Sequence, residues 1–312
     1  MTKPIYVIGH RNPDTDSIGA AIAYAQFKNL QGDSHVRPAR AGELNAESRF
    51  VLEHFHLPEP ELLSDATGLD LILVDHSEIG QALPNIEQAR VHEILEHHRM
   101  GDLRTPEPIL IHCEPVGATA TLVAERYFSS GLTPSPAMAG LMIAAILSDT
   151  VGFRSPTTSD KDRDVAARLA PLAGLDLEEF DRRLRQIRTQ ATAGLSAAAI
   201  LGSDFKEFHM GELRLGIGQV EVMGADALAH RKQDILTEMR EVLEARGLAL
   251  VILMVTDIDA QASDLWVVGD RLDVAEQAFG PISQGTVHLP GCLSRKKQVV
   301  PPLEEVLARR GA

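Results

Sequence analysis

Histidine and aspartate recur at short spacings in four stretches of this 312-residue chain. The densest is Gly9-His10-Arg11-Asn12-Pro13-Asp14-Thr15-Asp16-Ser17. Asn12-Pro13 favours a turn, so His10, Asp14 and Asp16 can converge. Taken alone, this stretch reads equally well as a polar loop with a helix cap and as a metal site. The other three clusters shift the balance toward metal: Val74-Asp75-His76-Ser77-Glu78, Glu96-His97-His98-Arg99 and Ser148-Asp149-Thr150. His54 and His56 stand apart and are assigned nothing. Carboxylate and imidazole donors without thiolate suit Mn²⁺, Co²⁺ or Mg²⁺ better than structural zinc. Asp14, Asp16, Asp75 and Asp149 together balance two divalent ions. Two metals about 3.5–4 Å apart form a clamp suited to phosphoryl transfer and can bridge a hydroxide nucleophile near neutral pH.

A second signal lies near the C-terminus, in Gly291-Cys292-Leu293-Ser294-Arg295-Lys296-Lys297-Gln298. Arginine offers a planar fork to phosphate oxygens and lysine a compact charge. Most such triplets are solvated basic loops. This one sits between glycine and proline punctuation in a chain whose formal charge is −14, so a concentrated positive loop stands out. The same acidity opposes general binding to a nucleic-acid backbone.

These residues need a frame. Pro4–Gly9, Leu69–Val74, Arg90–Leu95 and Pro108–His112 read as strands. Ile18–Leu30, with Asp16 or Ser17 as N-cap, and Ala118–Phe128 and Ala137–Leu147 read as helices. The order predicts an α/β domain with a doubly wound, mostly parallel sheet and helices on both faces. Ligands gather beyond the carboxyl ends of such strands. Asp160–Arg188 continues helical and charge-rich. Thr189–Gly194 is small and polar, the candidate linker. Beyond it, Phe205–His209 and Leu213–Val222 read as a hairpin turning at Met210-Gly211-Glu212. Ala229–Arg246 reads as a helix, and Leu248–Val255 and Asp264–Val268 as strands. The expected division is a catalytic domain over 1–188, a linker over 189–195 and a smaller mixed α/β domain over 196–312.

No apolar run reaches the roughly 20 residues that cross a bilayer. The N-terminus lacks the features of a signal peptide. Cys113 and Cys292 make no disulfide framework. A soluble, cytoplasmic protein is expected, without membrane or nucleic-acid partners.

The motifs together resemble the family II, manganese-dependent inorganic pyrophosphatases of the DHH phosphoesterase superfamily. The resemblance spans Gly9–Ser17, Gly42-Glu43-Leu44-Asn45 with Phe50-Val51-Leu52, Val74–Glu78, His97-His98-Arg99, Ser148–Thr150 and Ser294–Gln298. The aspartate and histidine motifs point to the superfamily; Ser294-Arg295-Lys296-Lys297-Gln298 points to the pyrophosphatase branch. The resemblance implies two Mn²⁺ or Co²⁺ ions per subunit between the domains, with Mg²⁺ accompanying pyrophosphate. His10, Asp14 and Asp75 would hold one ion. Asp16, Asp75, His97 and Asp149 would hold the other, with Asp75 bridging. A metal-bridging hydroxide would attack pyrophosphate. His98 would act as general acid toward the leaving group, and Lys206, Arg295 and Lys296 would grip phosphate. The family also implies a homodimer through the first domain. From the small, polar linker itself, the second domain is expected to close over the site from a hinge near Gly194.

Two departures stand out: Glu96 where the family usually has Asp in Asp-His-His, and Ser77 where it has Asn in Asp-His-Asn. The interval between Asp75 and Asp149 is too short for a regulatory nucleotide-binding insert. Two rival readings are a superfamily phosphodiesterase or exopolyphosphatase, and a non-catalytic regulator on the same fold. The phosphodiesterase branches would carry a Gly-Gly-His type motif that is missing here; the regulator would have lost one of the six ligand positions.

Overall fold

The four apolar runs expected as strands in the first half of the chain are strands, and polar clusters begin where three of them end. The computed structural model describes residues 3–310 apart from Ser34, Met223, Ala225, Asp226 and Asp259. It divides into two units between Leu184 and Arg185. In the first, β1 (Ile5–Ile8), β2 (Val36–Arg40), β3 (Glu61–Leu62), β4 (Asp70–Val74), β5 (Arg90–Glu96) and β6 (Leu110–Cys113) form one sheet. All neighbours pair in parallel, in the order β3-β2-β1-β4-β5-β6. The chain winds from β1 outward to β3, then restarts at β4 on the other side. The order therefore reverses between β1 and β4, where the strand ends open a crevice.

Alternate side chains of these strands serve two cores. Val7, Ile72, Val74 and Leu95 pack against α1 (Thr15–Leu30), α2 (Ala46–His54), α3 (Thr119–Ser129), α4 (Pro136–Asp149), α5 (Asp160–Ala173) and the start of α6 (Leu177–Gly194). Tyr6, Ile8, Leu71, Leu73 and Ile94 face the other way, onto Ala82, Leu83 and Ile86 of the β4–β5 connection. The α-helices thus gather on one face, and a connection with a single 3₁₀ turn at Ile86–Gln88 helps cover the second. Helices α1 and α4 run close together: a Cβ on Gly19 would lie 3.1 Å from the Ala145 Cβ. That approach brings the start of α1 toward the end of α4.

The second unit contains α7 (Ala197–Gly202), β7 (Phe205–Met210), β8 (Leu213–Val222), α8 (Lys232–Arg246), β9 (Leu250–Asp257), β10 (Ala262–Gly269), α9 (Leu272–Phe279), β11 (Thr286–Pro290) and α10 (Val300–Arg310). Its mixed sheet runs β11-β10-β9-β8-β7, with only β8 and β9 parallel. Every residue of β9 is buried. Leu250, Ile252 and Met254 pack with α9 and α10, and Val251, Leu253 and Val255 with α7 and α8. A strand covered on both faces reads as an unbroken apolar run.

Three expectations need adjustment. The N-cap of α1 is Asp14, not Asp16 or Ser17: its backbone is extended and its carboxylate accepts the Ser17 N–H at 2.9 Å. Asp16 and Ser17 lie in the first helical turn. Thr189–Gly194 is the last stretch of α6 rather than an irregular linker, Gln190, Ala191 and Ala193 being good helix formers; the break falls at Leu195, before the Ser196 N-cap of α7. Residues Ala229–Arg231 form a 3₁₀ turn ahead of α8. No helix of the described residues is long and apolar enough to cross a membrane.

Candidate metal centre

Three strand ends and two helix ends supply the acidic site. After β1 the chain turns through His10 to Asp14 at the head of α1. Asp14 uses Oδ1 to cap the helix, which leaves Oδ2 at 3.4 Å from His10 Nε2. The other side of that imidazole edge is Asp75 Oδ2, 3.3 Å away.

Asp75 follows β4 directly and adopts φ +63°, a left-handed conformation uncommon outside glycine that aspartate tolerates better than most. Its N–H remains tied to Leu95 O at 2.9 Å, so the turn stays attached to β5. The carboxylate is consequently placed between two histidines: Oδ1 lies 3.2 Å from His97 Nε2. His97 Nδ1 is 3.1 Å from Val116 O, which can only accept. Nδ1 therefore carries a proton, and Nε2, on the carboxylate side, is the nitrogen that takes either a second proton or a metal.

Asp16 is fully buried at the start of α1. Its two oxygens accept the N–H groups of Thr119 at 2.6 Å and Ala120 at 2.9 Å, the amino end of α3. A helix amino terminus stabilises such a charge. Asp149 ends α4, with Oδ2 at 3.4 Å from His97 Nε2. Candidate ligand atoms thus fall into two sets, His10, Asp14 and Asp75, and Asp16, Asp75, His97 and Asp149, each within 4.8 Å of one another. Asp75 belongs to both. A third grouping joins Asp75 and His97 to Glu96 and His98.

Glu96 is buried and accepts the His97 N–H at 2.7 Å, with His98 Nδ1 at 3.3 Å from the same oxygen. Its extra methylene leaves the His97 ring untouched, since Val116 holds that. His98 is more than half exposed, so its ring reaches outward from the cluster. Ser77, the other departure, accepts the Gly101 N–H on Oγ at 2.8 Å and fastens the loop beyond His98.

The charges are severe. Burial, then the Asp75 charge, pushes the Asp16 carboxyl well above the usual range. Burial, then Asp14, Asp16 and Asp75, does the same to Asp149. Burial also opposes charge on His10 and His97, but the adjacent carboxylates win and raise them to about 11 and about 10. Asp75, despite burial, is held below the usual carboxylate range by the same two histidines. The cluster demands positive charge. Protons on two imidazoles meet that demand, and so do divalent cations, which require the imidazoles neutral. Asp75 Oδ2 and His97 Nε2 are buried without an aligned hydrogen bond, as donors awaiting a cation would be. Donor chemistry and geometry therefore fit divalent metal.

One contributor is absent from the motif reading. Glu47 on α2 is 2% exposed, and its Oε1 accepts from Thr15 Oγ1 at 2.7 Å and Ser148 Oγ at 2.5 Å. Thr15 sits between Asp14 and Asp16, and Ser148 precedes Asp149. The local signal was weak: a Glu two residues past the Asn45 cap of α2 is an ordinary helix-start feature.

In the second unit, Lys206 on β7 and Lys296 are exposed. Arg295 is buried; its guanidinium donates to Asp204 O at 2.5 Å, Ile217 O at 3.1 Å and Asp204 Oδ1 at 2.9 Å. Ile217 is the ladder partner of Lys206, so Arg295 fastens the basic turn to the hairpin beside that lysine.

Residues 4–146 match the model of the DHH family, N-terminal domain, and residues 184–306 that of the DHHA2 domain. The chain is 45% identical over 312 residues to a manganese-dependent inorganic pyrophosphatase of Methanothrix thermoacetophila, covering 99% of this chain and 100% of the relative. Identity to the protein of that name from Methanocaldococcus jannaschii is 42%, over 96% and 98% of the two chains. The crystal structure of a candidate family II inorganic pyrophosphatase from Methanococcus jannaschii matches with TM-score 0.80 and 41% identity, over 97% of this chain and 99% of that one. Full-length identity at this level, with both domain matches in order, places the chain in the manganese-dependent, family II inorganic pyrophosphatases.

Proposed function

We propose that the protein hydrolyses inorganic pyrophosphate to two phosphates with the assistance of two Mn²⁺ or Co²⁺ ions. The observation that carries this reading is the pair of ligand sets sharing Asp75 at the β1/β4 crevice. His10, Asp14 and Asp75 hold one ion; Asp16, Asp75, His97 and Asp149 hold the other. Metal held there would lower the pKa of bound water, so that hydroxide is available near neutral pH, and would neutralise phosphoryl charge. The chain's own residues do the rest. Val116 O fixes the His97 tautomer, and the amides at the α3 amino end hold Asp16 in place. His98, oriented through Nδ1 by Glu96, donates a proton from its outward edge to the leaving phosphate.

Pyrophosphate sits in the interdomain cleft, with Lys206 and Lys296 compensating its charge from the second domain. Arg295 joins them only by releasing Asp204; in its present contacts it braces the loop that carries Lys296. Mg²⁺ accompanies the substrate. The second domain closes from the break after Gly194. A homodimer forms through the first domain, where the edge strand β6 exposes Leu110 and Ile111. The enzyme acts in the cytoplasm.

The test is phosphate release from pyrophosphate by metal-stripped protein, with Mn²⁺, Co²⁺, Mg²⁺ or Zn²⁺ restored. Release that requires Mn²⁺ or Co²⁺ and disappears in Asp75→Asn supports the reading. Tight Mn²⁺ binding with no release from pyrophosphate, dinucleotides or long polyphosphate would favour a non-catalytic regulator instead.

A further inference from the structure

A cavity of about 550 Å³ opens in the first unit between β6, α3 and α5, and it shares no residue with the metal ligand sets. Its lining includes His112 from β6, Glu125, Arg126, Phe128 and Ser129 from α3, and Arg168 from α5. Residues 125, 126 and 129 fall on one helical face, so their side chains address the same space.

The charges there are arranged unusually for so acidic a chain. Arg168 lies 3.7 Å over the Phe128 ring and Arg126 lies 5.5 Å over the Tyr24 ring. Stacking occupies the guanidinium faces and leaves the N–H edges to bond. Among the described residues neither arginine has an ion-pair partner. The acidic lining residue, Glu125, is paired with Lys161 at 2.9 Å. Arg126 Nη2 lies 3.3 Å from His112 Nδ1, and His112 Nε2 lies 3.4 Å from Glu114 Oε2. Arg126 Nε is buried with no acceptor. Two like charges line one cavity, Arg126 Nε lacks an acceptor there, and among the described residues no carboxylate pairs with either arginine, in a chain that carries 44 acidic residues in all. An oxyanion with several acceptor oxygens answers both deficits.

We propose that this cavity binds a phosphate group, gripped by Arg126 and Arg168. The group arrives either as free orthophosphate or as the phosphate end of a nucleotide.

The test is calorimetry on the full-length, metal-stripped protein at low ionic strength with chelator present, titrating inorganic phosphate, ATP and, as the uncharged comparison, adenosine. Saturable binding of phosphate or ATP is expected, with adenosine inert. It should weaken at least tenfold in Arg168→Ala and in Arg126→Ala, less in Arg168→Lys, and stay within twofold of the parent in Lys296→Ala. Arg168 is exposed, so its replacement leaves the fold intact and keeps the test readable. Tighter binding of ATP than of phosphate identifies the nucleotide source; equal or tighter phosphate identifies the free ion. The proposal is overturned if neither anion binds, or if binding is insensitive to both arginine variants.

Discussion

Glu47 offers a sharp test of how the acidic cluster is held, because it joins two ligand-bearing helix ends without belonging to either ligand set. Its Oε1 takes hydrogen bonds from the buried Thr15 and the half-buried Ser148. Glu47→Ala removes the shared acceptor from both hydroxyls. Each buried donor left unmet costs about 1–3 kcal/mol, so the pair costs about 2–6 kcal/mol. Thr15 keeps a contact to Ser48 Oγ at 3.3 Å, which places the total toward the lower half of that range. Glu47→Gln keeps an acceptor of nearly the same shape. It loses the strengthening that a charged acceptor confers, and also a charge that disfavours ionised Asp149. Supporting residues of this kind change metal affinity by about 10–100-fold. The expected order of Mn²⁺ affinity is therefore parent, then Gln within about tenfold, then Ala lower by about 10–100-fold. Calorimetric Mn²⁺ titration reads affinity, and urea unfolding of the metal-stripped protein reads stability. If Glu47→Ala lost stability yet bound Mn²⁺ within twofold of the parent, Glu47 would be a fold brace with no bearing on the ligands, and the reasoning would fail.

Further outcomes follow from the same geometry. Asp75→Asn, which tolerates the left-handed backbone, should fold and lose both ions; Asp75→Ala adds about 1–2 kcal/mol of backbone strain, visible as a lower urea midpoint. The raised pKa values of His10 and His97, about 11 and about 10, mean that both carry protons near pH 7 in the metal-stripped site. Mn²⁺ must displace those protons, so its affinity should climb from pH 6 to pH 9, with proton release measured by calorimetry in buffers of different ionisation heat. The same shifts stabilise the metal-stripped fold fully below the ordinary histidine pKa near 6.5, and this contribution is lost as pH rises through about 10 to 11. Arg295→Ala should lower stability by about 1–3 kcal/mol through its lost carbonyl contacts, whereas Lys296→Ala should leave stability alone and raise KM for pyrophosphate. X-ray scattering with and without a non-hydrolysable pyrophosphate analogue checks closure; identical profiles would remove it from the proposal.

How far the site was legible from residue types depended on where each contribution originates. His10, Asp14, Asp75, His97 and Asp149 stand at or just past the ends of apolar segments, so reading the segments located them. The reversal of strand order between β1 and β4 then gathered them at one crevice. Strands β2, β3 and β11 escaped notice because they are short or partly polar edge segments with little alternation. The Asp14 cap was misplaced by two to three positions because Asp14, Asp16 and Ser17 are all good capping types, and only the backbone conformation chooses among them.

Residue identity alone suggested the candidate donor set, four carboxylates and two imidazoles without sulfur, because ligand preference is a property of the side chain itself. It also settled the strand-and-helix alternation of the first domain, because periodicity follows from which face is buried. Tertiary structure alone decided the supports. Asp16 is held by amides 103 and 104 positions away, Ser148 reaches Glu47 across 101, and Arg295 reaches Asp204 across 91. Backbone donors and carbonyls carry no sequence signature, and a glutamate or arginine becomes a brace only when packing removes its water. Arg295 shows the difference most clearly: its type suggested a hand for phosphate, and its burial makes it the fastening of the loop that offers Lys296.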